Sequence, residues 1–383
     1  MTALPAELVA ILIAKTARTF CYGFLGLVLP LYLAELGMGA AGVGVAITMT
    51  LAGSALLTWL VRRPAERFGP RVALVGLALL SGVAAVVLLL TRDPWLVVGA
   101  AILGNVAVGT GETGPFLTVE QVVVARAVAG ARRTTVLSVY NLLGYISAAL
   151  GATMISVAAG WTPLFWVFLL GAAVQVVAYG AVTTRPAPVV SGSRGTSAPL
   201  IRRLAALFAL DSFAGGFVLQ SLVAYFLHTR FALSLETLGA VFAGVQILTG
   251  VSMLLAAGAA ARFGLLPTMV GSHLASNVLL IAIAFAPTAG VAVACLLARH
   301  LLSQMDVPTR QAYVMAVVAD HEREAAASLT NLSRSVAQAI TPTLTGWVMQ
   351  SIALSAPFAV GGLLKIVYDV LLWRTFKDVK LRE

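Results

Sequence analysis

Residues 72–90 read VALVGLALLSGVAAVVLLL, nineteen positions without a charge. A helix rises 1.5 Å per residue, so such a run comes close to the ~30 Å hydrocarbon core of a bilayer. Runs of this kind recur along the whole chain, and they fix its class. Only 10% of the residues are charged, 60% are hydrophobic, and the mean hydropathy is +0.97. A soluble domain carries about 25% charged residues. So few charges cannot cover a surface facing water, which leaves an integral membrane protein. The runs are continuous rather than alternating with a period of two, so a helix bundle is expected and a β-barrel is not.

Punctuation between the runs gives twelve expected spans, at 7–34, 41–61, 71–90, 95–118, 134–157, 163–183, 204–227, 236–260, 266–286, 290–314, 328–350 and 357–376. The longest hydrophilic stretch, TTRPAPVVSGSRGTSAPLIRR, has the Pro, Ser, Gly and Arg content of a linker. The expected organisation is an N-terminal six-helix bundle (1–183), a linker (184–203) and a C-terminal six-helix bundle (204–383). With the N-terminus inside, cytoplasmic segments hold eighteen of the 25 basic residues and outer loops hold only Arg92 and Arg230. The positive-inside rule then places both termini in the cytoplasm. It also accounts for the net charge of +10 without nucleic acid. Lys15 and Arg18 interrupt the first run and no small-residue cleavage site follows, so it is not expected to be a removed signal peptide. Cys21 and Cys295 both lie in apolar runs and imply no disulfide framework.

The halves echo each other. RFGPRVALVG at 67–76 returns as RFGLLPTMVG at 262–271, and GETGPFLTVEQ at 111–121 lies where QMDVPTRQAYV lies at 304–314. These matches argue for duplication of a six-helix unit, one of the transporter plans. The spans, the linker and the loop between spans two and three resemble the major facilitator superfamily over essentially the whole chain. The loop signature of that family is roughly Gly-x-x-x-Asp-Arg-x-Gly-Arg; here AERFGPR supplies Glu66, Arg67, Gly69 and Arg71. The pair ETGPFLTVEQ and QMDVPTRQAY is similar to a bacterial subgroup of undefined substrate. Many proton-driven exporters of the family carry an Arg in span four where this chain has Asn105, and Arg299 stands instead on span ten. The span-five antiporter pattern is absent from NLLGYISAALGAT.

A charge inside the hydrocarbon is costly and as a rule faces a partner or a cavity. The resemblance implies that spans one, four, seven and ten line the cavity. Lys15, Arg18, Glu112, Asp211, Arg299 and His300 all fall on those four spans, and Tyr22 shares a face with Lys15 and Arg18. These seven are the candidates for substrate contact or coupling, against the alternative of structural ion bridges. Glu112 and Asp211 are the candidate proton carriers, and Asp211 is a candidate counter-ion for Lys15 or Arg18. On span ten, Asp306 and Arg310 are four apart and can pair along one face, or bridge across the halves as part of a cytoplasmic gate. The expected gating set is Glu66, Arg67, Gly69, Arg71, Glu120, Asp306 and Arg310. Asn331, Arg334 and Gln338 share one face of span eleven. Lys365 and Asp369, at i and i+4 on span twelve, are expected to neutralise each other.

No metal-ligand spacing, phosphate loop or nucleophile elbow occurs, so neither an enzyme nor a metal site is expected. The expected function is secondary active transport of a small solute across the cytoplasmic (inner) membrane by alternating access, as proton-coupled efflux. The alternative is an uncoupled facilitator or a lipid or amphiphile translocator of the same fold. The expected partners are an anionic or amphiphilic solute and the bilayer, with the chain a monomer. A proton gradient, rather than a bound cofactor, is the expected driving force.

Overall fold

The structure, a computed structural model, describes residues 5–109, 114–127, 132–182, 198–318 and 323–379. All regular structure among them is helical. The first half holds α1 (Ala6–Glu35), α2 (Ala40–Phe68), α3 (Pro70–Leu90), α4 (Pro94–Leu103), α5 (Pro115–Ala127), α6 (Arg132–Val157) and α7 (Trp161–Gly180). The second holds α8 (Ala198–Gly216), α9 (Gln220–Phe231), α10 (Leu235–Phe263), α11 (Leu265–Ala284), α12 (Ala289–Ser303), α13 (Asp306–Val317), α14 (Arg323–Ser351) and α15 (Ala356–Phe376).

Among the described residues, ten helical stretches are long and apolar enough to cross a membrane. α8 with α9, and α12 with α13, each count as one stretch, interrupted near residues 217–219 and 304–305. The two remaining expected spans differ from this pattern for physical reasons. Span four is divided into the shorter apolar helices α4 and α5, and α14 is long enough, at 29 residues, but rich in hydroxyl, amide and charged side chains.

The sequence repeat returns as local geometry. Gly69 before α3 has φ 91° and Gly264 before α11 has φ 89°, a left-handed turn that excludes a side chain without strain. Asp93 caps α4 by accepting from Trp95 N–H and Leu96 N–H at 2.9 Å, and Thr288 caps α12 by accepting from Val291 N–H. Pro308 falls in the first turn of α13, where its missing N–H breaks no helix bond, so the helix begins around it instead of kinking at it.

The chain divides into two compact units, and the division is not a simple cut at the linker. The first comprises Met1–Gly39, Met49–Val189 and Leu233–Gln246; the second comprises Ala40–Thr48, Val190–Ala232 and Ile247–Glu383. The start of α2 joins the second unit because it lies directly on α14. A Cβ added at Gly44 would stand 2.3 Å from the Pro342 carbonyl oxygen, and Thr343 Oγ1 bonds Thr48 Oγ1 at 2.9 Å. The start of α10 joins the first unit in the same way, because a Cβ on Gly239 would stand 2.8 Å from the Ala152 carbonyl oxygen on α6. Small residues let membrane helices approach backbone to backbone, so dispersion and weak polar contacts replace the missing hydrophobic drive.

Each unit has its own core. The first gathers Leu8, Ile11, Leu74, Phe116, Tyr140 and Tyr179; the second gathers Leu204, Phe208, Met269, Tyr313, Tyr368 and Leu372. Large apolar side chains such as Leu56, Leu79, Leu170, Val177, Leu254 and Trp347 are exposed. An apolar exterior over a packed interior that also holds the ionisable side chains is the arrangement a lipid solvent selects.

Candidate functional site

Each unit buries one ionic cluster. In the first, α1 supplies Arg18 (1% exposed) and α5 supplies Glu120 (0%). The guanidinium grips the carboxylate with both terminal nitrogens, at 3.0 and 2.6 Å. Tyr179 of α7 donates to Glu120 Oε1 at 2.6 Å, and Tyr140 of α6 donates to Oε2. Arg18 also donates to the Tyr179 hydroxyl, and its guanidinium lies 4.5 Å from the centre of the Phe116 ring. Four helices therefore converge on one carboxylate, whose oxygens are both doubly engaged. Lys15 sits one turn earlier on α1, buried, with Nζ 4.3 Å from the centre of the Tyr140 ring. Tyr22, one turn later, reaches the interruption of span four. Its hydroxyl lies 3.4 Å from the Gly104 carbonyl oxygen and 3.4 Å from Asn105 Nδ2.

In the second unit, Asp211 of α8 is the hub. Lys365 of α15 donates to its Oδ1 at 2.6 Å, and His273 Nε2 lies 3.5 Å from the same oxygen. Arg310 of α13 stands 3.5 Å from Asp211 Oδ2 and 2.5 Å from Asp306 Oδ2. The other face of His273 meets Asp369, with Nδ1 2.7 Å from Oδ1, and Asn277 donates to Asp369 Oδ2 at 2.9 Å. Asp211, His273, Asp306, Arg310, Lys365 and Asp369 are all buried. Arg334 of α14 borders the cluster through a 3.0 Å bond from its Nε to Ser212 Oγ.

Asp211, His273 and Asp306 each bring one donor atom within 4.8 Å of the others. A metal ion could bridge such a spacing. The ammonium of Lys365 and the guanidinium of Arg310 already occupy these carboxylates, however, and two fixed cations oppose a third. The group is an ion-pair network.

Several expected pairings change. Arg18 takes its carboxylate from Glu120 rather than from Asp211. Glu120, one of the expected gating residues, is the fully buried centre of the first cluster. Lys365 and Asp369 do not neutralise each other, because Lys365 reaches Asp211 and Asp369 is taken by His273 and Asn277. Asp306 and Arg310 pair along α13. His300 is turned to its own helix, 2.8 Å from the Leu296 carbonyl oxygen. Arg299 is half-buried, and its Nε has no hydrogen-bond partner among the described residues. Glu66, Arg67 and Arg71 are exposed, and Glu66 lies 3.9 Å from Arg62 on the same helix. Gly69 forms the turn into α3. Glu112 lies outside the described residues. His273 and Asn277 have no place among the expected residues. Their signal was a polar i, i+4 pair on span nine, facing the polar i, i+4 pair Lys365 and Asp369 on span twelve.

Comparison with known proteins now bears on this arrangement. The sequence matches the family description Major Facilitator Superfamily over residues 11–228 and again over 204–382. The chain belongs to the major facilitator superfamily. An uncharacterized membrane protein of Saccharomyces cerevisiae, YJR124C, is 22% identical over 419 residues, covering 94% of this chain and 92% of that protein. Three solved structures show the same fold at low identity. The nucleoside transporter NupG has TM-score 0.74 at 14% identity, covering 97% of this chain and 99% of that one. The xylose transporter XylE from E. coli, in an inward open conformation, has TM-score 0.75 at 13% identity, covering 98% of this chain and 97% of that one. The human organic anion transporter MFSD10 has TM-score 0.69 at 15% identity, covering 96% of this chain and 99% of that one. The chain is thus a multi-pass membrane protein with a major facilitator transporter fold.

Proposed function

We propose that the protein is a secondary active transporter that moves a small solute by alternating access, with protons as the coupling ion. The observation that carries this reading is the pair of buried ionic clusters, one per unit. The groups at the centre of each lie on spans that the family resemblance assigns to the transport path, one and four for Arg18 and Glu120, seven and ten for Asp211, Asp306 and Arg310, with His273, Lys365 and Asp369 joining from spans nine and twelve. Ionisable groups within membrane spans are expensive and mark ion or substrate pathways. The second cluster holds carboxylates and a histidine in contact, the chemistry proton uptake requires.

Solute recognition falls to a different residue. The terminal nitrogens of Arg18 are engaged by Glu120 and Tyr179, whereas Arg299 carries a buried Nε without a partner. Arg299 on span ten is the proposed anchor for an anionic or amphiphilic solute, which agrees with the expectation from the midplane cations. Efflux across the cytoplasmic membrane, with both termini in the cytoplasm, and action as a monomer complete the proposal. The basic-residue asymmetry supports the orientation.

The test is counterflow into proteoliposomes with a panel of anionic, zwitterionic and amphiphilic solutes, with and without a pH gradient. Uphill movement of one solute driven by the gradient supports the proposal. Flux that ignores the gradient for every transported solute contradicts proton coupling and favours a facilitator.

A further inference from the structure

His273 stands between two groups that ask opposite things of it. Its Nε2 is 3.4 Å from Lys365 Nζ and 3.5 Å from Asp211 Oδ1. Its Nδ1 is 2.7 Å from Asp369 Oδ1, so Nδ1–H donates to Asp369 whether the ring is neutral or charged. The ring is thereby held in one tautomer, with Nε2 as the variable atom. In a neutral ring Nε2 carries a lone pair and accepts from Lys365. In a charged ring Nε2 carries a hydrogen and donates to Asp211, which Lys365 now holds at 2.6 Å.

We propose that His273 Nε2 is a proton-binding site, and that its protonation exchanges the partner of Asp211 from Lys365 to His273. The proton comes from a hydronium ion, whose O–H bond breaks to leave water as the new N–H bond forms at Nε2, and the hydrogen bond from Lys365 to Nε2 is lost. The ammonium of Lys365, facing an imidazolium, is driven away from Nε2 and must share Asp211 or leave it. Asp211 is on α8 and also faces Arg310, so the exchange reaches α13 through the Arg310–Asp306 pair. A proton at one atom thus alters contacts among α8, α11, α13 and α15.

The charge balance of the cluster agrees with such an exchange. The directly connected groups are three carboxylates, Asp211, Asp306 and Asp369, against two fixed cations, Lys365 and Arg310. A charged His273 balances them, and with a neutral ring Arg334 at the border, bonded to Ser212 and within the field of Asp211 and Asp306, supplies the third positive charge. The neighbours of His273 are Asp211 from α8, Lys365, Tyr368 and Asp369 from α15, and Asn277 from its own helix. The Tyr368 ring lies edge-on at 5.7 Å, and Asn277 Nδ2 is 3.2 Å from Nδ1. Asp306 of α13 brings its carboxylate within 4.8 Å of the cluster's shared donor atoms. α12 also packs on α11 and carries Arg299 and His300, the latter bonded to Leu296. Histidine changes charge between about pH 5 and 8, the range in which membrane proton gradients operate.

The inference rests on the proton-coupled reading above, but its test reads no transport. The full chain, labelled with 13C and 15N histidine, is titrated in detergent micelles and the imidazole resonances followed by NMR. The four histidines are resolved by loss of one signal in His273→Gln, or by replacing the other three if that variant does not fold. The expected result is a His273 midpoint between about pH 5 and 8. Asp369→Asn lowers that midpoint by about half a unit or more, since the acid favours the charged ring, and Lys365→Met raises it. A His273 signal that does not titrate in this range, or a midpoint that neither variant moves, overturns the site. If His273 titrates as expected while flux ignores the pH gradient, the site stands and the coupling reading fails. If His273 is silent while the gradient drives flux, the coupling reading stands and this site fails.

Discussion

The clusters in the two units use similar chemistry to opposite effect. Arg18 and Asp211 are 193 residues apart, the spacing that also relates Pro115 to Pro308, so the repeat places a cation in one half where it places an anion in the other. Around Arg18, the bonds to Glu120 converge: a two-pronged guanidinium and two tyrosine hydroxyls saturate the carboxylate. Around Asp211, the bonds diverge. Lys365, His273 and Arg310 compete for its two oxygens, two of them at 3.5 Å, and Asp306 and Asp369 stand by as alternative acceptors. A saturated pair has one low-energy arrangement. A shared acceptor with surplus partners has several of similar energy, and that is what an element biased by a proton needs.

The largest effect should follow from breaking the saturated pair. Arg18→Gln leaves Glu120 buried with only tyrosines, and Glu120→Gln leaves a buried guanidinium. Either should cost about 3–5 kcal/mol, read as a large fall in Tm of the purified protein. Arg18→Met combined with Glu120→Leu should recover most of that loss, because it removes both charges. A small Tm change in the single variants would show that this cluster is as adaptable as the other.

Asp211→Asn should be milder in stability and severe in function. Lys365, Arg310 and His273 keep Asp306 and Asp369 as partners, so a loss of about 1–3 kcal/mol is expected together with loss of gradient-driven transport. Retained coupling would place the exchange elsewhere. Arg299→Gln should leave Tm unchanged and raise KM for an anionic solute roughly tenfold or more, the equivalent of one charged hydrogen bond. Lys at this position should restore part of the affinity, because the charge survives and the planar fork does not. Glu66→Ala should change Tm only slightly, since its exposed pairing with Arg62 at 3.9 Å contributes at most about 1 kcal/mol. A large fall there would mean that the loop before Gly69 carries more than its turn.

The spans were readable from sequence because burial in lipid acts on every residue of a run, as in residues 72–90. The repeat was readable because Gly69 and Gly264 need the same left-handed turn. The charged residues of the spans were also visible, but their partners were not. Glu120 is 102 residues from Arg18, and it is chosen by how α1, α5, α6 and α7 converge. Local spacing misleads at Lys365 and Asp369. The i, i+4 rule offers them to each other, yet Asp211 from α8 would keep only the longer contacts to Arg310 and His273 at 3.5 Å, and losing its 2.6 Å partner is the larger cost that decides the pairing. The His273–Asn277 pair is a polar i, i+4 pattern, but its spacing does not say which helix it faces. The acid that His273 meets is 96 residues away, and only the packing of α11 on α15 joins them.

The most direct measurement combines proton and solute movement in one preparation. Proteoliposomes loaded with a pH-sensitive dye are given the solute identified by counterflow, and protons moved per solute are recorded for the wild type and for His273→Gln. The account predicts a fixed proton-to-solute ratio in the wild type that falls towards zero in the variant. An unchanged ratio in His273→Gln, or solute movement without protons in the wild type, would contradict it.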